Sequence, residues 1–442
     1  MAEFAFTWID LVATPVCLLL LYLIGYTISH TKYKETFLRQ QFMLGLTVKF
    51  IGCFGFIAVY ALYYGYGDTF GYFENVTKLR EVLIHSPSKI FKILFSQNLS
   101  IKEQISMGVM VPDHVMVNGA NYMVIRTALF FGLFTFNSYI GISLMFAFFS
   151  FIGIWGLYRV VAHIYPNHYK AVTIPILYIP SVFFWGSSLM KDSIVIGFVG
   201  LLTYSIYMLF FKKKMILLST IMMLISIFIL SNVKQYVIVA YVPALILWMS
   251  LGPLNKLPLK QRWVAAPFLL ILAAIIIGMA FPILEKASKQ YTLEQVLETA
   301  ETTAEYIHRT TREGGSSYSL GNVSYTPIGM AKVFPRAVTV TLFQPFIFQV
   351  KNPVMLLSAI ESTIFLFGTI FILFKIGIIR YINYIMSQPF ILMCLVFSIF
   401  FAFAIGISTY NFGALVRYKI PCLPFYGIAL IIPYMLHKTR KG

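Results

Sequence analysis

The sequence predicts an all-α polytopic membrane protein of about eleven transmembrane helices, with two large extracytoplasmic loops that carry amphipathic helices. Three observations predict it. Hydrophobic residues make up 59% of the 442 residues and charged residues only 11%, against about 25% in an ordinary soluble domain. Apolar runs of about 20 residues, the length a helix needs to cross the hydrocarbon core, recur from end to end. The alternation of a membrane β-barrel is absent, so helices must satisfy the backbone inside the bilayer. The chain reads as a single integral-membrane domain, 1–442.

The predicted spans are 10–29, 42–64, 138–160, 171–186, 191–211, 215–232, 235–251, 263–283, 354–376, 387–408 and 419–436. The run at 10–29 has neither a basic segment before it nor a convincing small-residue cleavage site, so it reads as a permanent span. The apolar segment 122–137 contains Arg126 and Asn137 and reads as a re-entrant or interfacial helix. Between 215 and 251 the pattern allows a kink at Lys234. The first long outer loop is 65–121 and the second is 284–353, both beyond the ~12–15 residues of an ordinary connection. Segments 76–95 and 291–309 have the pattern of amphipathic helices, the first basic and suited to a membrane surface.

The formal charge of +18 would suggest nucleic acid in a soluble protein. Here the cations sit mostly in short connectors, where they set topology and meet anionic lipid, so no nucleic-acid partner is expected. One set of connectors holds Lys32, Lys34 and Arg39, then Arg159 and Lys170, Lys212 to Lys214, Lys256 to Arg262, and Lys375 and Arg380. Lys438, Arg440 and Lys441 complete it. That side is assigned to the cytoplasm, which puts the amino terminus outside, the carboxyl terminus inside and the working face outside. Cys17, Cys53, Cys394 and Cys422 lie apart with no metal-ligand spacing, so neither a zinc site nor a disulfide framework is predicted.

Three stretches fall on the outer side. Gly65–Val76 (GYGDTFGYFENV) leaves the 42–64 span and carries Asp68, one of four aspartates in the chain. It suits either a carboxylate with a chemical role or a capping Asp in a Gly-rich turn. Its GYGD also fits an intramembrane aspartyl protease, but the other aspartates, Asp10, Asp113 and Asp192, provide no facing partner. Pro180–Ser193 (PSVFFWGSSLMKDS) reads as a tight outer hairpin. There the backbone N–H groups of Gly186, Ser187 and Ser188, with Lys191, make an anion site; the alternative is a capped hairpin in which Lys191 pairs with Asp192. In Ser408–Phe425 (STYNFGALVRYKIPCLPF), Arg417 and Lys419 stand on the outer side against the positive-inside trend. They suit a phosphate ligand, or an interface anchor with Tyr410 and Tyr418 as aromatic belt. The end of the second loop adds Arg336, Gln344, Gln349 and Lys351 among aromatics and prolines, and Glu361 stands inside the following span, where an acid needs a partner.

Taken together, these stretches resemble the integral-membrane glycosyltransferases of the GT-C superfamily, particularly bacterial members of surface-polysaccharide and cell-envelope type. The resemblance rests on Gly67, Asp68 and Tyr72 after an early span and on Pro180, Ser181, Phe184, Trp185, Lys191 and Asp192 in the outer turn. Asn411, Gly413, Arg417, Tyr418 and Pro421 match a late motif. It implies a polyprenyl-phosphate-linked sugar as donor and a lipid-linked, glycan or protein acceptor. It implies Asp68 as general base, with Lys191, Arg417 and, more weakly, Arg336 on the donor phosphate. Tyr72, Glu74, Trp185, Asp192, Tyr410, Asn411 and Tyr418 would border the substrate. The family often has a second acid close to the first; the nearest here is Glu74, and an extra span precedes Asp68. No metal site is predicted and no cofactor is firmly implied: Lys and Arg could take a metal's place on the leaving phosphate, and the need for a divalent metal is left open. The implied location is the inner (cytoplasmic) membrane. The alternatives are a polymerase or ligase using polyprenyl-diphosphate-linked glycan, and a lipid-linked oligosaccharide flippase or transporter.

Overall fold

The computed structural model describes residues 6–252, 316–321, 323 and 326–440. The predicted span 263–283, the amphipathic segment 291–309 and most of the second long loop lie outside the described residues. Among those described, the secondary structure is helical apart from one isolated antiparallel bridge between Ser317 and Asn411. Seven helices are long and apolar enough to cross a membrane, or eight if the pair Phe412–Tyr418 and Leu423–Thr439, bent by 64°, is one broken span. The protein is therefore a polytopic helical membrane protein.

One difference from the sequence expectation has a clear cause. Segment 171–186 is not one continuous helix; it is a 3-10 turn Tyr169–Val172, a five-residue helix Thr173–Leu177 and a six-residue helix Pro180–Trp185. Pro175 and Pro180 each lack an N–H for the helical ladder. The 215–251 region does break at Lys234, whose backbone (φ −149°, ψ 85°) leaves the helical region between Ile216–Val233 and Gln235–Leu251.

The described residues form two compact units, 1–164 with 182–235, and 165–181 with 236–442. In unit 1 the direction of each helix follows from its contacts. Asp10 in Trp8–Lys32 accepts hydrogen bonds from Ser138 Oγ (2.6 Å) and the Ile140 N–H (3.1 Å), and Tyr33 accepts one from Trp155 Nε1 (2.8 Å). Trp8–Lys32 thus runs parallel to Tyr139–Ile164. Thr36–Ala58 runs antiparallel to it, with Phe42 against Trp155 and Thr69, beyond the far end, bonded to the Tyr139 hydroxyl. Lys191–Ile206 is again parallel to Tyr139–Ile164, because a methyl on Gly153 would overlap the Gly197 carbonyl and one on Gly156 would meet Tyr204. Small residues let these two backbones touch, the usual device for helix association in lipid.

One end of unit 1 consequently gathers Lys32, Lys34, Arg39, Arg159 and Lys212 to Lys214, and the other gathers Asp10, Asp68, Lys191, Asp192 and Lys234. At the basic end the Arg159 guanidinium lies over the Tyr33 ring (4.7 Å) and His163 stacks on Tyr207.

Unit 2 is built the same way. Tyr241 packs on Phe397 and Trp248 on Phe390, so Gln235–Leu251 is antiparallel to Pro389–Thr409. Pro327–Phe343 is also antiparallel to Pro389–Thr409, with Gly406 against the Ala337 backbone and Thr341 Oγ1 donating to the Ala402 carbonyl (2.8 Å). Pro353–Ile376 runs parallel to the chain 412–439, through Ser362 with Lys419, Thr369 with Tyr426 and Phe371 with Tyr434. One end of unit 2 holds Arg336, Gln344, Asn411 and Arg417; the other holds Lys375, Arg380, His437 and Arg440.

Candidate functional site

A candidate site among the described residues lies in unit 2 and grows from a local pairing. The Phe412 N–H donates to the Ser316 carbonyl (2.7 Å) and the Tyr318 N–H to the Tyr410 carbonyl (3.1 Å), which pins 316–320 beside the N-x-G segment. Tyr410 takes a left-handed conformation (φ 48°) that turns the chain between Pro389–Thr409 and Phe412–Tyr418. Asn411 then caps the second helix, its Oδ1 accepting from the Ala414 N–H at 3.2 Å. The Tyr318 ring stacks on Tyr410 and tilts on Phe412, and its hydroxyl donates to the Gly406 carbonyl (2.8 Å). Burial raises the Tyr318 phenol well above its ordinary pKa, so it stays a neutral hydroxyl.

These elements border an open cavity of about 560 Å³. Its polar lining is Arg336, Thr339, Gln344, Gln349, Ser317 and Ser319, with Tyr318, Phe412, Pro335 and Val340 on the apolar side. Pro327–Phe343 supplies Arg336 and Thr339 one turn apart. Arg336 Nη1 donates to the Leu320 carbonyl at 3.2 Å, which uses one of a guanidinium's five N–H donors. Gln344 and Gln349 bond to each other (3.3 Å) in the turn that follows.

Beneath the cavity is a buried polar strut. Lys419, 1% exposed, donates to the Gln344 carbonyl (2.8 Å) and to Ser362 Oγ (2.7 Å). Glu361, on the same helix as Ser362, accepts from the Ser181 N–H at 3.2 Å and from the Ser181 hydroxyl. The acid expected to need a partner has one, and Lys419 holds the cavity floor rather than facing water. Arg417 is half-buried with its guanidinium over the Tyr418 ring (5.5 Å), and neither side chain is among those lining the cavity.

Unit 1 carries the other sequence candidates. Asp68 is exposed at the first position of the helix Asp68–His85, not in an open loop, so much of 65–121 is helical. A six-residue π-helical turn, Val59–Tyr64, precedes it and is closed by Gly65 in the left-handed region (φ 69°). Gly67 (φ 149°) has no room for a side chain, since a Cβ would lie 2.5 Å from the Tyr60 ring. A carboxylate in the first turn is favoured by the helix dipole. Tyr72 is buried and donates to Asn121 Oδ1 (3.0 Å), while Glu74 pairs with Lys78 (2.8 Å).

The outer turn departs from the expected anion nest. Gly186, Ser187 and Ser188 are buried, the Gly186 N–H bonds to the Val182 carbonyl and the Ser188 N–H to Ser193 Oγ. Lys49, buried in the middle of its span, donates to the Gly186 carbonyl (2.7 Å), the Val182 carbonyl (3.3 Å) and Ser150 Oγ (3.0 Å). Trp185 packs on Phe56, Tyr60 and Phe184 in the core. Asp192 is 1% exposed and pairs with Lys234 at 2.5 Å. Lys191 begins the helix at the same end of unit 1 as Asp68.

Breaking the Asp192 pair is expected to be costly. Lys234→Met leaves a carboxylate buried without its cation, a loss of about 3–5 kcal/mol. It should lower the thermal unfolding midpoint of purified protein markedly, and Lys234→Met with Asp192→Leu should recover most of it. An unchanged midpoint in the single variant would show that the pair does not hold unit 1 together.

No family model matches this sequence. No curated protein and no solved structure matches it either.

Proposed function

We propose that this protein is a membrane glycosyltransferase that moves a sugar from a polyprenyl-phosphate donor to a lipid-linked, glycan or protein acceptor on the extracytoplasmic face. The observation that carries this reading is the unit 2 cavity. Its volume, about 560 Å³, suits a headgroup-sized ligand. Its guanidinium, amides and hydroxyls are of the kind that hold phosphate oxygens and sugar hydroxyls, and its aromatic side suits a sugar ring. In the proposed step an acceptor hydroxyl attacks the anomeric carbon, the bond from that carbon to the phosphate oxygen breaks, and the phosphate leaves with the electron pair. Arg336 stabilises that charge; the roles of Asp68 as general base and of Lys191 and Arg417 as phosphate ligands rest on the resemblance alone, since none of the three is among the side chains that line the cavity.

A second reading, a polymerase or ligase using a polyprenyl-diphosphate-linked glycan, is favoured by one feature: the charged side chain lining the cavity is a cation, and no carboxylate is among the described residues that line it. Purified protein in nanodiscs, supplied with monophosphate-linked sugar or diphosphate-linked glycan, separates the two. Transfer from the monophosphate is the expected result; turnover of the diphosphate donor alone would replace this reading with the second.

The proposed location is the inner membrane, with the basic ends toward the cytoplasm, the cavity end outside and the amino terminus outside. A thiol introduced as Ser316→Cys should react with an impermeant reagent from outside, and one introduced as Lys213→Cys only after the membrane is opened. Equal reaction of both from one side would reverse the orientation.

A further inference from the structure

A ten-residue helix, Ile378–Ser387, separates the spans Pro353–Ile376 and Pro389–Thr409 in unit 2. Gly377, in the left-handed region (φ 83°), ends the span before it, and the extended Gln388 with Pro389 begins the span after it. At about 100° per residue its side chains fall on three faces. Tyr381, Tyr384 and Ile385 are buried, with the Tyr381 hydroxyl donating to the Ala429 carbonyl (3.0 Å). Ile378, Ile379, Ile382 and Met386 form a second face that is bare, between 51% and 78% exposed. Arg380, Asn383 and Ser387 form the third, also exposed.

A packed face, a bare apolar face and a polar face are what a helix needs to lie at the boundary of acyl chains and headgroups. Two further features identify what covers the bare face. The adjoining span also bares large apolar side chains, Phe367, Phe371 and Phe374, the last only four residues before Ile378. The charge around it is basic: Lys375 ends that span, Arg380 is on the helix, and the Arg440 guanidinium lies over the Tyr384 ring at 5.2 Å. We infer that Ile378–Ser387 is an interfacial helix that seats unit 2 on anionic phospholipid, with Ile378, Ile379, Ile382 and Met386 among the acyl chains and Lys375, Arg380 and Arg440 on the headgroup phosphates. This inference is independent of the enzymatic reading.

Nitroxides introduced at Ile382→Cys, Met386→Cys and Asn383→Cys test it in vesicles of phosphatidylcholine with and without phosphatidylglycerol; the native cysteines are buried. Labels at 382 and 386 should collide with oxygen and be shielded from a water-soluble nickel chelate, and the label at 383 should show the reverse. Lys375→Gln and Arg380→Gln should each reduce the preference for spin-labelled phosphatidylglycerol over phosphatidylcholine, by about fivefold per cation removed. A label at 382 open to the chelate would overturn the inference, as would one shielded from both reagents, which would mean that a protein or a second copy covers this face. Equal association with the two lipids would also overturn it.

Discussion

Arg336→Ala is expected to lower sugar transfer by about two to three orders of magnitude, the usual loss when a donor aimed at developing charge is removed. Donor binding should weaken too, because the phosphate is already charged in the ground state. The side chain is exposed and its hydrogen bond goes to a single loop carbonyl, that of Leu320, so folding and membrane expression should be retained. Arg336→Lys should recover part of the binding and less of the rate, since an ammonium cannot make the guanidinium's paired contacts. Normal turnover by Arg336→Ala would remove the cavity from the chemistry.

Asp68→Asn is expected to lower transfer by at least about a hundredfold while leaving donor binding unchanged, because the amide keeps the shape of the carboxylate but cannot take a proton. The position is exposed at a helix start, where Asn is tolerated, so expression should be normal. The contrast with Arg336→Ala is informative: one variant should lose rate alone, the other rate and affinity. Near-normal turnover by Asp68→Asn would remove it as the base and favour the polymerase reading, in which cations do most of the work.

Apolar length made most of the spans legible. It could not reveal Ile378–Ser387, whose ten residues alternate among three environments and contain no long apolar run. Nor could it show that prolines divide 169–185 into short pieces, because hydropathy ignores the missing N–H. Asp192 was legible as a charged residue of the outer turn, but its pairing with Lys234 was not. The two lie 42 residues apart, and Lys234 stands at the end of the antiparallel neighbour. Arg336 and the glutamines after it could be singled out as polar groups among aromatics in an outer loop. Tyr318 could not: its role arises from a hydrogen bond to Gly406 and a stack on Tyr410, contacts that cross about ninety residues of chain. Lys49 signalled itself only as an expensive intramembrane charge, and its task, holding the Val182 and Gly186 carbonyls, is visible only in three dimensions.

The most direct measurement is photo-crosslinking of a polyprenyl-phosphate-sugar that bears a diazirine on the sugar, followed by mapping of the labelled peptides. The account predicts labelling within 316–321, 335–349 or around Phe412, competed by unlabelled donor and greatly reduced in Arg336→Ala. Competed labelling confined to other segments, with Arg336→Ala labelled as strongly as the unaltered protein, would contradict it.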